Sequence, residues 1–224
     1  MVINLLSKKE DRNGIRISYL FVDELTNKVV ATASDNIGEN YVLEYDKNTI
    51  EITTNPKMIN KAPVVFKYPI SSKLTKTIGF PILVNGTQDM FYYSDAFTVG
   101  KKGIFKKNIG CTVFFDKSNT FLMFRVGYKS ESSHYYCMYL NGETIAIIER
   151  KTPYKYDIKA KIYIEETQYV GIALIAAVEE IIAVANSGDR DNYIDTSAGN
   201  YFSRYKEEQD LLNRVFIENA KLTN

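Results

Sequence analysis

The sequence predicts a mainly β fold, a closed antiparallel β-barrel of about 12 strands that encloses one apolar helix near the C-terminus. Residues 170–185 form an almost wholly apolar run, and a helix that is apolar on nearly every side must be surrounded by protein or lipid. The residues before this run consist mostly of short strand-like segments. The 17 tyrosines and 12 phenylalanines of the chain favour pleated sheet. A sheet this large normally closes to remove its edges.

Runs of apolar, β-branched and aromatic residues between turn signals predict the strands. They lie at residues 15–22, 29–33, 41–45, 49–54, 64–68, 78–84, 90–93, 96–99, 109–115, 120–128, 135–140, 143–149 and 156–165. Asn85-Gly86 and Asn141-Gly142 favour tight type I′ hairpin turns, because both residue types tolerate positive φ. Proline lacks the N–H that a strand ladder needs. Strands 64–68 and 78–84, bounded by Pro63, Pro69 and Pro81, are therefore expected to be edges, bends or short pieces.

The apolar run is predicted to be a buried helix rather than a membrane span. It is about 16 residues long, which is short of the roughly 20 that a spanning helix needs. It also contains Glu179 and Glu180, and carboxylates are costly inside a bilayer. The predicted organisation is a barrel over residues 1–186 with its central helix at about 168–186, followed by a polar loop at 187–200.

An amphipathic helix is predicted at residues 201–222. Its apolar half contains Tyr201, Phe202, Tyr205, Leu211, Leu212, Val215, Phe216 and Leu222. Its other half contains mainly Lys206, Glu207, Asp210, Arg214, Glu218 and Lys221. We expect this helix to dock on the barrel exterior or on a partner.

The net charge of the chain is only +1, which excludes a general electrostatic attraction to nucleic acid. The two cysteines, Cys111 and Cys137, lie in apolar strand-like runs and are expected to be buried reduced thiols. The apolar run that begins at Met1 is too short for a signal peptide, so we expect a cytoplasmic protein.

No catalytic or metal-binding constellation is visible, and we expect neither an enzyme nor a cofactor. The one histidine, His134, begins a strand and is expected to face solvent rather than act as a general base. Residues 189–195 have the alternating carboxylates of a calcium loop, but Tyr193 occupies a ligand position and the glycine and closing glutamate are missing. This segment is therefore expected to be a solvated loop without a metal.

One charge cluster is the best candidate for binding. Lys101, Lys102, Lys106 and Lys107 flank Ile104 and Phe105, a combination that suits an anionic membrane surface. Ammonium groups would attract the headgroups while the apolar pair inserts shallowly. The alternative is a lysine-rich connection that protects a sheet edge. A second basic group, which would extend the first if the strands lie close, contains Arg150, Lys151, Lys155, Lys159 and Lys161.

A dozen strands followed by an apolar helix rich in small residues resembles the tubby-like superfamily, which includes tubby C-terminal domains, LURP-one-related proteins and phospholipid scramblases. The resemblance covers residues 90–186 and rests on the hairpin around Asn141-Gly142, the Ile-Tyr-Ile-Glu-Glu sequence at 162–166, and the apolar run. The small residues of the run keep the helix thin enough for a barrel interior. Glu179 and Glu180, on its alanine-rich side, and the extra helix 201–222 depart from the family pattern.

The resemblance implies a barrel threaded by its C-terminal helix and binding of anionic phospholipid headgroups through basic residues on the barrel. It does not identify the ligand residues one by one. The first functional hypothesis is thus a non-catalytic lipid-binding module that contacts the membrane peripherally. The alternative is a protein-interaction module, in which Tyr201, Tyr205, Leu212 and Phe216 contact a protein partner. The oligomeric state does not follow from the sequence.

Overall fold

The computed structural model describes residues 1–10, 16–36, 40–53, 57–59, 77–99, 107–127, 134–141, 143–150 and 159–183. The strands are β1 (Val2–Glu10), β2 (Arg16–Asp23), β3 (Val29–Asn36), β4 (Asn40–Tyr45), β5 (Asn48–Thr53), β6 (Lys57–Ile59), β7 (Thr77–Val84), β8 (Thr87–Val99), β9 (Lys107–Phe115), β10 (Thr120–Gly127), β11 (His134–Leu140), β12 (Glu143–Arg150) and β13 (Lys159–Ile164). A 3₁₀ turn at Thr167–Tyr169 leads into α1 (Val170–Ala177), and a π-helical segment follows at Val178–Ala183.

Twelve antiparallel strands form a closed barrel, which confirms the β-barrel part of the predicted architecture. Their order around the ring is β5-β4-β3-β2-β1-β13-β12-β11-β10-β9-β8-β7, and the pairing of β5 with β7 closes the ring. The short strand β6 adds three residue pairs to the side of β7. Closure gives each strand of the ring a partner on both sides, so the wall has no free edge.

Strand β1 has no counterpart among the sequence-based predictions, although the barrel depends on it. It pairs with β2 on one side and with β13 on the other. At its start, the N-terminal ammonium of Met1 donates a hydrogen bond of 2.8 Å to the carbonyl of Ile164. Without β1 the ring would be open between β2 and β13.

Strand β7 is paired on both sides, so of the three expectations for 78–84, an edge, a bend or a short piece, the structure excludes the edge. On one side it pairs with β8 along most of its length. On the other side it pairs with β5 at residues 82–84 and with β6 at residues 77–79. Pro81 lies between these two pairings and faces neither β5 nor β6. Its missing N–H therefore costs no ladder hydrogen bond on that side of β7.

The tight turns adopt the conformations that their sequences predict. Asn85 and Gly86 have φ angles of 50° and 81°, and Asn141 has a φ of 54°. Asp46 and Lys47 also have positive φ and connect β4 to β5 in two residues. Such turns match the right-handed twist of paired strands.

The core of the protein is one cluster of buried apolar side chains, to which the strands and the apolar helix, residues 170–183, both contribute. On β4, for example, Tyr41 and Leu43 are buried while Glu44 is exposed. Three aromatic rings stack across β7, β8 and β9, with centroid distances of 5.1 Å between Phe80 and Tyr92 and 5.7 Å between Tyr92 and Phe114. Residues 172–178 of the helix are all buried and belong to the same core cluster as these strand residues.

The helix is less regular than the prediction of about 168–186, and its described part ends at residue 183. Its last described turn and a half is π-helical rather than α-helical, and Glu179 lies in that part with no exposed surface. Single π turns inside helices are rare and widen the local backbone. The predicted polar loop at 187–200 and the predicted amphipathic helix at 201–222 lie outside the described residues.

Candidate functional site

The two ends of the barrel differ in the connections that they carry, and this difference defines the candidate site. One end, called here the acidic end, contains five short turns and the link to the apolar helix: residues 23–28, 44–49, 84–89, 115–120, 140–144 and 164–169. The other end, called here the basic end, contains the remaining six connections: residues 8–16, 35–40, 54–77, 99–107, 127–134 and 150–159. Antiparallel pairing makes successive connections alternate between these ends.

Charge is distributed unequally between the ends. The connections of the basic end contain 18 lysines and arginines and six aspartates and glutamates. Those of the acidic end contain three lysines and nine aspartates and glutamates. The strand connections of the two ends therefore differ strongly in sign, although the net charge of the chain is only +1. Local fields of this kind attract oppositely charged surfaces even when the whole molecule is nearly neutral.

The lysine cluster that the sequence analysis identified belongs to the basic end. It occupies the connection between β8 and β9, whose last residue pair is Val99 with Lys107. Four residue pairs, from Ala96–Gly110 to Val99–Lys107, extend beyond the last pairing of β9 with β10 at Cys111. Four strand residues rise about 13 Å. Strands β8 and β9 therefore stay paired with each other beyond the last residue pairs that they form with β7 and β10.

Most of the predicted lipid-binding residues lie outside the described part of the chain. This holds for Lys101, Lys102, Ile104, Phe105 and Lys106. Lys107 is described as the first residue of β9 through its backbone pairing alone. All four predicted partner-binding residues, Tyr201, Tyr205, Leu212 and Phe216, also lie outside the described residues.

The structure divides the second predicted basic group. Lys159 is exposed at the basic end, whereas the ammonium of Lys161 donates a hydrogen bond of 2.7 Å to Glu24 of the acidic end. Arg150 is buried, and its alternation with Ile148 places it on the inner face of the wall. Among the described residues, its Nε meets no hydrogen-bond acceptor. Arg150 is thus a cation at the inner rim of the basic end rather than part of an outer patch.

Polar groups at the acidic end are occupied by local structure. The Asp116 carboxylate accepts hydrogen bonds of 2.7 Å from the backbone N–H groups of Ser118 and Asn119, and so fixes the β9–β10 turn. These residues border an open crevice of about 240 Å³ together with Asp89. Asp23 accepts hydrogen bonds of 2.7 and 2.8 Å from the backbone N–H and the hydroxyl of Thr26. Both carboxylates therefore support turns.

No group of three potential metal-ligating side chains comes together in the described parts of the chain. The backbone of His134 pairs with Gly127 and Arg150 at the start of β11, as a strand-start residue should. The suggested calcium loop at 189–195 lies outside the description. Cys137 is a buried thiol, and β10 separates it from Cys111 by two strand spacings, about 9.5 Å, which is too far for a disulfide.

Comparison with protein-family models, curated proteins and solved structures finds no match for this chain. Within the described ranges, no helix has the length and apolar character that crossing a bilayer requires. The charge asymmetry of the ends is the functional feature that the sequence analysis missed. Assigning each connection to one end, by counting alternate turns along the predicted strands, would have found it.

Proposed function

We propose that this chain is a non-catalytic binding module of the tubby-like type, and that its basic end associates peripherally with anionic phospholipid headgroups. In this proposal the apolar helix occupies the barrel lumen. The burial of residues 172–178 within one cluster with inward-facing strand residues supports this placement. Because a barrel lumen filled by a helix has no room for a ligand, a ligand would bind to the outer surface or to the ends of the barrel.

The charge asymmetry of the barrel carries the proposal. An anionic membrane attracts basic residues with about 1 kcal/mol for each lysine or arginine near its surface. The attraction decays over a Debye length of roughly 8–10 Å. The eight-residue strand β2 spans about 20 Å along a tilted barrel wall. When the basic end touches the membrane, the acidic end therefore lies beyond the screening distance and repels little.

The hairpin of β8 and β9 supports the same orientation. Its two strands stay paired with each other as far as Val99 and Lys107, and its connection combines four lysines with Ile104 and Phe105. The two apolar side chains beside these lysines would be buried in the headgroup region. Their burial would strengthen binding in addition to the electrostatic attraction of the lysines. We therefore expect vesicle binding to weaken as the salt concentration rises. At every salt concentration it should require anionic lipid.

Vesicle co-sedimentation tests the proposal with two matched triple variants. The protein should bind vesicles of phosphatidylcholine and phosphatidylserine at low ionic strength but not vesicles of phosphatidylcholine alone. K101Q/K102Q/K106Q removes three lysines from the basic end, and should lower the partition constant roughly 100-fold at about 1 kcal/mol each. K28Q/K47Q/K117Q removes the three exposed lysines of the acidic end and should change it little.

Two results would contradict the proposal. Equal losses for both triple variants would show that net charge, rather than the basic end, controls binding. Absence of binding to acidic vesicles at low salt would remove the lipid function altogether. The alternative function, recognition of a protein partner through residues 201–222, depends on whether the apolar half of that segment is available.

A further inference from the structure

One sector of the barrel wall is buried on both of its faces. Side chains alternate between the inner and outer face of a strand, so a run of consecutive buried residues means that both faces are covered. Such runs occur at residues 112–115 of β9, 136–138 of β11, 145–148 of β12 and 162–164 of β13. Strands β2 to β4 instead alternate between buried and more exposed residues.

The outward-facing members of these runs form a continuous row. Val2, Tyr163, Ile147 and Cys137 are direct neighbours in register on β1, β13, β12 and β11. They are 2%, 4%, 0% and 0% exposed, respectively. On β9, Val113 and Phe115 are also buried, whereas Leu122, the partner of Val113 on the intervening strand β10, is half-buried. Leu6, which also points outward on β1, is 40% exposed. The low exposure is therefore specific to this row, which we call the covered face.

The described elements do not supply the cover. All 13 strands belong to the sheet itself, and the buried residues of the apolar helix belong to the core cluster. Among the remaining segments, 128–133 and 151–158 are too short to cross the sector. Segment 60–76 contains Pro63 and Pro69, which interrupt any regular helix. The 41 residues after residue 183 are the longest of the remaining segments and contain the predicted amphipathic helix, which makes them the best candidate for the cover.

We infer that residues 201–222 dock as an amphipathic helix on the covered face of the same chain. A helix of these 22 residues is about 33 Å long. The covered face crosses five strand spacings from β1 to β9, about 24 Å. The 17 residues at 184–200 can extend to about 55 Å, which is enough to pass from the basic end around the rim to the outer wall.

The docking has a functional consequence. The apolar half of the segment, with Tyr201, Tyr205, Leu212 and Phe216, binds the barrel rather than another protein. The covered face itself becomes an apolar surface only if the segment is released. This inference is independent of lipid binding by the basic end.

Cys137 provides a direct test because it lies in the covered face. In a Cys111→Ser background it is the only thiol, and its rate of modification by a maleimide reports exposure of the face. Leu212→Asp/Phe216→Asp should raise this rate on the order of 100-fold, since each buried apolar side chain removed weakens docking by about a factor of ten or more. Lys206→Asp/Arg214→Asp, on the polar half, is the control and should leave the rate unchanged. An unchanged rate in the first variant, with a native circular dichroism spectrum, overturns the inference.

A cross-linking measurement covers the case in which the aspartate variant fails to fold. Tyr205→Cys, Leu212→Cys or Phe216→Cys is introduced singly into the Cys111→Ser protein, and diamide oxidises each thiol pair. At least one variant should form an intramolecular disulfide with Cys137, which requires Cα atoms within about 7 Å. Lys206→Cys should not. A disulfide-linked dimer in place of the monomer, or no cross-link in any of the three, contradicts docking within one chain.

Discussion

Replacement of Leu174 by alanine is expected to destabilise the protein by roughly 3–5 kcal/mol. Leu174 has no exposed surface and belongs to the buried cluster that joins the apolar helix to the strands. Removing three buried carbon atoms costs about 2.4 kcal/mol of transfer free energy. The cavity left behind adds a further cost, because a closed ring of hydrogen-bonded strands has little freedom to collapse into it.

Chemical denaturation followed by circular dichroism measures this loss. In a thermal experiment the same change should lower Tm by about 6–20 °C, given a shift of roughly 2–4 °C per kcal/mol for a chain of this size. Leu25→Ala is the control, because Leu25 is 64% exposed in the β2–β3 turn and should change stability by less than about 0.5 kcal/mol. If Leu174→Ala cost no more than Leu25→Ala, the helix would not be packed inside the barrel.

Two further predictions concern turns of the acidic end. The hydrogen bond from the Thr26 backbone N–H, with smaller contributions from neighbouring donors, holds the pKa of Asp23 below its ordinary value. A depressed folded-state pKa contributes stability above the unfolded pKa that is lost as pH falls through the folded value. The Tm difference between wild type and Asp23→Asn should therefore shrink as pH falls from neutral to below about 3, and a constant difference would contradict this cause. Gly86→Ala should cost about 1 kcal/mol in urea denaturation, because alanine is strained at a φ of 81° although its Cβ would meet open space, and an unchanged midpoint would refute the strain.

The parts of the fold that sequence predicted well are those with local signals. The β11–β12 hairpin has an Asn-Gly turn between two apolar runs, and β4 alternates clearly between buried and exposed residues. Strand β1 was missed because Val2 and Ile3 are both buried and Leu5-Leu6 interrupts the alternation. Its partner β13 lies about 160 residues away, so no local pattern indicates the pairing. Ser94-Asp95 interrupts the apolar pattern of β8, which made one strand of 13 residues resemble two.

The candidate site depends even more on topology. The basic end is assembled from six connections spread between residues 8 and 159. Only two of them, at 99–107 and 150–159, have enough basic residues close together to be noticed as groups. Net charge suggested that the molecule has no strong field, because the acidic end offsets the basic end in any total. Strand order, rather than composition, determines which charges act together.

The covered face had a sequence signal that the predicted strands already contained. The apolar runs Val113-Phe114-Phe115, Tyr136-Cys137-Met138 and Ile145–Ile148 are continuous, whereas Tyr41–Tyr45 alternates. Continuous runs are typical of strands covered on both faces. In a barrel whose lumen supplies one cover, such runs require a second cover outside. The pattern thus indicates that another segment packs on this side of the wall.

Docking of residues 201–222 and lipid binding by the basic end are compatible because they use different surfaces and different forces. The segment contains four basic and four acidic residues, so placing it on the wall leaves the charge difference between the ends unchanged. The covered face lies along the side of the barrel, whereas the lysine cluster belongs to the connection between β8 and β9 at the basic end. Substitutions that release the segment should therefore leave the salt dependence of vesicle binding intact. A different outcome for Leu212→Asp/Phe216→Asp would place the segment at the basic end instead. In that outcome the salt dependence of vesicle binding is lost while the rate of Cys137 modification by maleimide stays unchanged.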